Sequence, residues 1–237
     1  MKVALVCIAK NEDKYIQEWI DYNLKLGFDS IFIYQNDWRT DIENPKVVKL
    51  EMDGINKQRD SYNHFLRSYH KEYDWVAFFD VDEFLVLKKH DSIKKFIHDY
   101  KEFPGIGINW VLFGNNGLTN TNGDYSSIRR FTKRQWDVNP HIKTIMKVNP
   151  NVVMDVHNPN IYLVDTNKNK FSGPFNTNGQ TNIAQINHYF CKTQEEFEEK
   201  CKKGRADSSS VTRKMNEFDG HNFNDIEDLS AYNFLFN

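Results

Sequence analysis

The most constraining feature of this sequence is a run that is apolar on both faces and ends in two carboxylates. Residues 74–86 read Asp-Trp-Val-Ala-Phe-Phe-Asp-Val-Asp-Glu-Phe-Leu-Val. A run without polar alternation is typical of a strand that is covered on both sides of a sheet. Side chains two residues apart in an extended segment point the same way. Asp80 and Asp82 are therefore predicted to converge on one divalent cation. An isolated Asp-x-Asp, however, more often only solubilises a strand end.

The length and charge of the chain narrow the classes of function. With 237 residues and no internal repeat or linker-like segment, the sequence predicts a single domain, residues 1–237. Charged residues make up 27% and leave a formal net charge of -2, which gives no electrostatic reason to expect nucleic acid as a partner.

Cysteine spacing and hydropathy indicate the expected compartment. Cys7, Cys191 and Cys201 lack metal-site spacing and are expected to be reduced thiols. No segment approaches the roughly 18 apolar residues that spanning a bilayer requires. We therefore expect a cytoplasmic protein without a transmembrane segment. Peripheral contact with the inner face of the membrane and the oligomeric state are left open.

The first hundred residues alternate between strand and helix patterns. Strands are predicted at 3–9, 30–35, 46–51 and 75–79, and helices at 11–26, 57–73 and 92–100. This order predicts an α/β fold with a largely parallel sheet and helices on both faces.

Three polar clusters follow the predicted strands. Asn11-Glu12, Asn36-Asp37 and the pair Asp80 and Asp82 come directly after the first, second and fourth strands. Ligands of parallel sheets bind beyond the carboxyl ends of the strands. The convergence of the three clusters therefore predicts one site at this edge.

The second half of the chain has a less regular pattern. A strand at 105–113 leads into Gly-Asn-Asn-Gly at 114–117, a loop that can adopt positive φ and carry binding groups. Thr193 and Glu196 have capping-box spacing and predict a charged helix that ends at Gly204. Further short strands are predicted at 127–131, 144–148, 152–156, 161–164 and 183–191.

Residues 232–236 form a small aromatic patch. From sequence alone this patch has three possible roles: docking on the core, a dimer contact or a membrane contact.

Several segments, taken together and in order, resemble the GT-A glycosyltransferases. They are Val-Cys-Ile-Ala-Lys-Asn-Glu at 6–12, Glu-Trp-Ile-Asp-Tyr-Asn-Leu-Lys-Leu-Gly-Phe-Asp at 18–29, Tyr-Asn-His at 62–64 and Trp-Val-Ala-Phe-Phe-Asp-Val-Asp-Glu-Phe-Leu at 75–85. Asn-Trp-x-x-Phe-Gly at 109–114 and Ile-Asn-His-Tyr at 186–189 extend the match. The resemblance is to glycosyltransferase family 92, which is similar to family 2.

The resemblance implies a GT-A (Rossmann-like) fold with a mixed, mostly parallel sheet flanked by helices. The nucleotide-sugar-binding half would span 1–104, an irregular acceptor-side half 105–210, and a tail 211–237. The implied activity is inverting transfer of a sugar from a nucleotide sugar, expected to be UDP-linked, to a glycan or glycolipid acceptor. Surface polysaccharide synthesis is the expected setting. The expected cofactor is Mn²⁺ or Mg²⁺, which would stabilise the charge on the leaving diphosphate.

The metal and donor sites are carried over residue by residue. The resemblance assigns Asp80, Asp82 and His188 to the metal, with Asp80 also near the donor ribose; a core histidine with one satisfied nitrogen is the alternative for His188. The expected donor-binding residues are Ala9, Asn11, Glu12, Asp37 and Arg59. For Asn11 a helix N-cap is compatible with donor binding, whereas Asp37 and Arg59 have solvent-exposed roles as alternatives.

The acceptor side is less well determined. An inverting reaction needs a base opposite the leaving group, and the candidates are Asp155, Asp207 and Glu83, with Glu83 favoured as structural. Trp110 and Asn115 are the expected acceptor-side residues, because an aromatic face packs against the apolar face of a sugar. The alternative for Trp110 is a core position.

Two other functions compete with a glycosyltransferase. A metal-dependent nucleotidyltransferase would usually carry a glycine-rich phosphate loop after the first strand, and residues 8–12 contain no glycine. A non-catalytic module that binds a sugar or nucleotide would keep the fold without the chemistry, and retention of both Asp80 and Asp82 argues weakly against it.

Overall fold

The computed structural model describes residues 1–203 and 213–237. Its helices are α1 Ile16–Leu26, α2 Gln58–Ser68, α3 Ile93–His98, α4 Ser127–Arg130, α5 Gln194–Lys203, α6 Asn216–His221 and α7 Ser230–Phe236. Its strands are β1 Val3–Ala9, β2 Ser30–Gln35, β3 Val47–Glu51, β4 Trp75–Phe78, β5 Glu83–Leu87, β6 Gly105–Leu112, β7 Lys133–Arg134, β8 Ile142–Lys147, β9 Leu163–Val164, β10 Lys170–Phe171, β11 Ala184–His188 and β12 Ile226–Glu227.

A mixed, mostly parallel sheet forms the centre of the molecule, which confirms the predicted α/β class. Its strands lie in the order β10-β9-β6-β8-β4-β1-β2-β3. β4, β1, β2 and β3 are parallel, and β8 is inserted antiparallel between β4 and β6. β11 pairs parallel with β6 and antiparallel with β5. The carboxyl ends of β1, β4, β6 and β11 therefore lie at the same edge of the sheet.

The prediction that the run at 75–79 is covered on both faces is confirmed. Trp75, Ala77 and Phe79 pack into one hydrophobic cluster, together with residues of α1 and α3. Val76 and Phe78 pack into the cluster on the opposite face, together with residues of α2. Each large buried apolar side chain stabilises the fold by about 1.5–3 kcal/mol, so β4 is fixed between two layers of helices.

Helix α1 begins later than predicted. Asn11 has a φ of 52°, and the carbonyl of Glu12 accepts the backbone N–H groups of Tyr15 and Ile16 in a turn. Tyr15 is the N-cap, so the expected N-cap role of Asn11 is wrong. Helix α1 ends as predicted at Gly27, whose φ of 101° suits a residue without a Cβ.

Two predicted strands in the second half are wrong. Residues 127–131 form the short helix α4 instead, because the Ser126 side chain caps its first turn by accepting the Arg129 N–H. Residues 152–156 form only an isolated bridge between Met154 and Pro159. Local capping chemistry outweighed a short apolar pattern at the first of these positions.

The predicted capping box before α5 is confirmed. The Thr193 hydroxyl accepts the Glu196 N–H, and the Glu196 carboxylate accepts the Thr193 N–H in return. The predicted end of this helix at Gly204 lies outside the described residues.

The aromatic tail docks on the core. It forms α7, from which Tyr232, Phe234 and Leu235 pack against the main cluster. In the described ranges, no helix is both long and apolar enough to cross a bilayer.

Candidate active site

A cavity of about 680 Å³ opens at the carboxyl ends of β1, β4, β6 and β11. It brings together most of the residues that the sequence assigned to metal, donor and acceptor. Among its lining residues are Ala9, Asn11, Glu12, Asp80, Asp82, Trp110 and His188. The cavity lies at the edge of the sheet where the sequence predicted the site.

Asp80 and Asp82 line the same cavity but bind different partners. They lie in the turn between β4 and β5, so the predicted extended arrangement is wrong. Asp80 accepts hydrogen bonds from Gln58 Nε2 at 2.8 Å and from Lys143 Nζ at 2.9 Å. Asp82 instead accepts Lys200 Nζ at 2.7 Å. The turn separates the two carboxylates because its residues do not alternate as those of a strand do.

Beneath Asp80 lies a fully buried ion pair. Lys143 and Glu83 both have 0% exposed side chains, and their charged atoms are 3.3 Å apart. The Asp80 N–H donates to Glu83 at 2.9 Å. Burial raises the pKa of Glu83 well above its usual value, although Lys143 opposes the shift. The Glu83 carboxyl is fully buried and does not line the cavity, which supports the structural role that the sequence favoured.

Asp82 is held ionised at the cavity wall. Burial alone would raise its pKa, but the positive charge of Lys200 is the largest of the effects that hold the pKa well below its usual value. Asp82 Oδ1 lies 3.6 Å from His188 Nε2, which is too long for a hydrogen bond. Burial lowers the pKa of His188, so its imidazole is neutral at pH 7.

His188 does not match an ordinary core histidine. Its side chain is 7% exposed, and within the described part of the chain its buried Nδ1 has no hydrogen-bond partner. The alternative of one satisfied ring nitrogen therefore does not hold. The Nε2 faces an ionised carboxylate across a gap in the cavity wall, which is an arrangement that a cation would satisfy.

Trp110 carries an aromatic wall from His188 to the outer part of the cavity. Its ring centroid lies 4.3 Å from that of His188, and it stacks on His141 with centroids 4.8 Å apart. His157 meets it edge-on at 5.2 Å. Trp110 is only partly buried, so the wall can pack against a ligand.

Lysines form another part of the cavity lining. Lys200 bonds Asp82, and Lys203 forms an ion pair with Glu12. Lys192, in the connection between β11 and α5, lies over the Tyr15 ring. None of these three lysines was predicted from the sequence. The available signal was the spacing of Lys200 and Lys203, since residues three apart lie on one face of a predicted helix.

Two of the predicted donor residues do not line the cavity. Asp37 is exposed and bonds Lys10, which does line it. Arg59 is exposed and forms an ion pair with Asp155 at 2.6 Å. The exposed alternatives describe both positions, because each charge is engaged at the surface.

Of the predicted base and acceptor residues, Asp155 and Asn115 do not line the cavity, whereas Trp110 does. Burial favours the neutral form of Asp155, but its hydrogen bond from Arg59 outweighs this and lowers its pKa, so it is a poor base. Asn115 shapes its own loop by accepting the Gly117 N–H and donating to the Leu118 carbonyl. Asp207 lies outside the described residues.

Several known proteins are similar to this chain. A glycosyltransferase family 92 protein of Ricinus communis is 24% identical over 217 residues, covering 84% of this chain and 37% of that protein. One of Arabidopsis thaliana is 29% identical over 129 residues, covering 46% of this chain and 22% of that protein. The chain thus spans about a fifth to a third of the length of these relatives.

Among solved structures, TarS 1-349 of S. aureus is 19% identical with a TM-score of 0.39. That match covers 62% of this chain and 47% of TarS 1-349. The same fragment in complex with UDP-GlcNAc is 18% identical, also with a TM-score of 0.39, covering 62% and 46% of the two chains.

The family assignment rests on a family model that matches more than half of the chain. The family model described as "Glycosyltransferase family 92" matches residues 48–222. This range contains Asp80, Asp82, Trp110 and His188, together with the lysines of α5. The chain belongs to glycosyltransferase family 92.

Proposed function

We propose that this chain transfers a sugar from a UDP-sugar to a glycan or glycolipid acceptor with inversion, and that it uses Mn²⁺ or Mg²⁺. The observation that carries the proposal is the pairing of ionised Asp82 with neutral His188 in the wall of a cavity at the carboxyl edge of the sheet. Membership of family 92 gives the reaction class. The cavity volume of about 680 Å³ is in the range of small-molecule sites.

The residues present fit a divalent cation that shares its ligands with a substrate. A carboxylate oxygen and a neutral imidazole nitrogen are both suitable ligands, and Asp82 and His188 supply one of each. In the described residues, no cluster of three or more His, Cys, Asp or Glu side chains could hold a metal ion. Mg²⁺ commonly binds through one or two carboxylates plus substrate phosphates. Asp82 and His188 would hold the ion, which would supply charge neutralisation at the leaving diphosphate.

Different side chains would contact the nucleoside and the phosphates of the donor. Asn11 and Glu12 follow β1 and line the cavity where the nucleoside would enter. Lys200 lies beside Asp82 and would face the phosphates as a second positive charge. A positive charge that is fixed before the reaction favours the separation of a negatively charged leaving group.

The base is better supplied by the aromatic wall than by the carboxylates assigned from sequence. His141 Nδ1 lies 2.9 Å from Asn139 Oδ1, an oxygen that also accepts the His141 backbone N–H. The ring proton is therefore on Nδ1, and Nε2 keeps its lone pair. Burial lowers the pKa of His141, so it is neutral at pH 7. Like His188, His141 contacts the Trp110 ring, and its contact with this expected acceptor-side residue supports a position beside the acceptor.

One set of titrations tests the donor, the metal and the base together. UDP is titrated by calorimetry with and without Mn²⁺, and turnover of UDP-sugars is measured in parallel. We expect Asp82→Asn to abolish the Mn²⁺-dependent part of UDP binding. His141→Gln should leave UDP binding unchanged and lower turnover by about 100-fold or more. Asp21→Asn, an exposed position on α1, is the matched control.

Each alternative function has its own outcome in these titrations. No binding of UDP or of any UDP-sugar in the presence of Mn²⁺ would refute the proposed donor. Binding without turnover by any acceptor or by water would favour the non-catalytic module. Release of pyrophosphate from a nucleoside triphosphate would indicate the nucleotidyltransferase.

A further inference from the structure

Lys192 is a buried cation at the cavity wall with an unusual backbone. It lies between β11 and α5 and is 7% exposed, although its side chain lines the cavity. Its φ of 54° is in the left-handed region, which side chains other than glycine, asparagine and aspartate rarely adopt. Such strain persists where the surrounding structure holds the residue in place, and it is common at binding sites.

The surroundings of Lys192 leave its charge without a counterion. Within the described residues no carboxylate forms an ion pair with its Nζ, which lies 3.0 Å from the centre of the Tyr15 ring. The carboxylates that attract it most strongly are Glu12, Asp82 and Glu196.

The three carboxylates that attract Lys192 most strongly are each paired with another cation. Glu12 is paired with Lys203 and Asp82 with Lys200. Glu196 is held by both terminal nitrogens of Arg130 at 2.8 Å. Glu18 also interacts electrostatically with Lys192, and its carboxylate accepts hydrogen bonds from Ser126 and Ser127. Among the described residues, Lys192 is therefore a buried cation of this wall that forms no ion pair. Keeping an unpaired ammonium in a buried position costs free energy, and an anion in the cavity would recover it.

We propose that Lys192 is an anion-binding residue whose ammonium group contacts the diphosphate of the donor. This inference rests on the proposed function, because the nucleotide sugar supplies the anion. The Lys192 ammonium lies against the Tyr15 ring, and the Tyr15 hydroxyl is anchored to Glu196 at 2.7 Å. Since Tyr15 and Lys192 both line the cavity, the ammonium is held at the cavity wall before the donor arrives, and little side-chain entropy is lost on binding.

Burial also affects Lys192 in the free protein. It lowers the pKa of Lys192 to about 8, although Glu12 and Asp82 oppose the shift. When no anion is bound, burial therefore destabilises the charged form of Lys192, in addition to the strain of its left-handed backbone. A neutral side chain of similar length should relieve this cost, which gives the proposal two independent readouts.

The test compares Lys192→Met with the wild-type protein in ligand binding and in thermal unfolding. The probes are UDP, inorganic pyrophosphate and uridine, with Mn²⁺ present throughout. We expect affinity for UDP and for pyrophosphate to fall roughly 10- to 100-fold, the size of a charged hydrogen bond. Affinity for uridine should stay within about twofold. The melting temperature without ligand should be equal to or higher than that of the wild type. Lys25→Met is the matched control and should change none of these values. Lys25 lies on α1, and its ammonium contacts the Phe234 ring of α7.

Four outcomes separate this inference from the proposed function. Unchanged UDP affinity in Lys192→Met overturns the inference. A lower melting temperature with equal losses for UDP and uridine also overturns it, since that pattern indicates a structural role. If the wild type binds pyrophosphate but not UDP, and Lys192→Met loses pyrophosphate, the inference stands and the proposed donor is wrong. If the wild type binds neither, both fail.

Discussion

Two charge clusters border the same cavity, and they differ in how completely their charges are compensated. The closed cluster consists of Asp80, Glu83 and Lys143, of which Glu83 and Lys143 are fully buried. The open cluster consists of Asp82, Lys192 and Lys200, whose Asp82 and Lys200 side chains are 16% and 20% exposed. In the closed cluster the one cation is paired with both carboxylates, whereas in the open cluster no carboxylate of residues 1–203 and 213–237 forms an ion pair with Lys192.

The difference favours a structural role for one cluster and a ligand-binding role for the other. Glu83 and Lys143 are fully buried and paired with each other, whereas Asp80, which is 33% exposed, is paired with Lys143 at the cavity wall. In the open cluster Asp82 and Lys200 are paired, and Lys192 forms no ion pair within the described residues, so an anion in the cavity would stabilise this cluster further. The two carboxylates of one Asp-x-Asp segment thus lie in different charge clusters, although both line the cavity.

The largest expected effect is on the closed cluster. Lys143→Met removes the cation that pairs with buried Glu83 and with partly exposed Asp80, and removing one partner of a buried pair costs about 3–5 kcal/mol of unfolding free energy. Urea denaturation at pH 7 measures this loss. The double variant Lys143→Met with Glu83→Gln should recover part of it, because the second substitution removes the unpaired carboxylate. A loss under about 1 kcal/mol in the single variant would show that the cluster is not closed.

A second prediction concerns the buried ion pair of Arg130 and Glu196, which anchors the Tyr15 hydroxyl next to Lys192. Arg130 and Glu196 have side chains that are only 5% and 2% exposed. Glu196→Gln removes the charge from these hydrogen bonds and should lower the unfolding free energy by about 1.5–3 kcal/mol at pH 7. Urea denaturation over a pH series is the measurement.

The direction in which the unfolding free energy should change with pH follows from the pKa of Glu196. Burial alone would raise the pKa of Glu196, but the hydrogen bonds from Arg130 and Thr193 lower it from 4.5 to about 2. The ionised carboxylate therefore contributes stability above pH 4.5, and this contribution is lost as the pH falls towards 2. The stability of Glu196→Gln should depend less on pH in this window. Parallel curves for the two proteins would contradict the assignment of Glu196 as the titrating group.

The fold was largely predictable because its strands are defined by local patterns. The β-branched run at 3–9 gave β1 with correct ends, and the apolar run at 75–79 gave β4 and its two buried faces. The predicted helix at 57–73 is shorter, since α2 ends at Ser68 with Tyr69 as its C-cap. Residues 127–131 were mispredicted because a serine cap depends on the backbone around one residue.

Residues that line the cavity were predictable where they follow strands directly, as Asp82 and Glu12 do, or where the family resemblance named them, as it did Trp110 and His188. The ion pairs that define their environment connect distant parts of the chain. Lys200 lies 118 residues from Asp82, and Lys143 lies 63 residues from Asp80. Such pairs depend on the insertion of β8 and on the position of α5, which neither periodicity nor spacing specifies.

The smallest expected effect on stability belongs to Lys200→Met. Its ion pair with Asp82 is partly exposed, and pairs of this kind contribute up to about 1 kcal/mol. Removing Lys200 also frees Asp82 Oδ2, so we expect Mn²⁺ to bind more tightly in the absence of nucleotide. Mn²⁺ titration followed by electron paramagnetic resonance measures this change. Lys14→Met, which breaks the exposed pair with Glu199, controls for the loss of a surface charge.

The Lys200 result decides which cluster this residue belongs to. A loss of stability near that of Lys143→Met would place Lys200 in a closed network and remove the distinction between the two clusters. Unchanged Mn²⁺ affinity would show that the cation does not compete with Lys200 for Asp82. Tighter Mn²⁺ binding with little loss of stability would mean that Lys200 and the cation neutralise the same carboxylate in turn. The ammonium would then be free to face the diphosphate once the metal and the donor are bound, which is the behaviour that an open cluster requires.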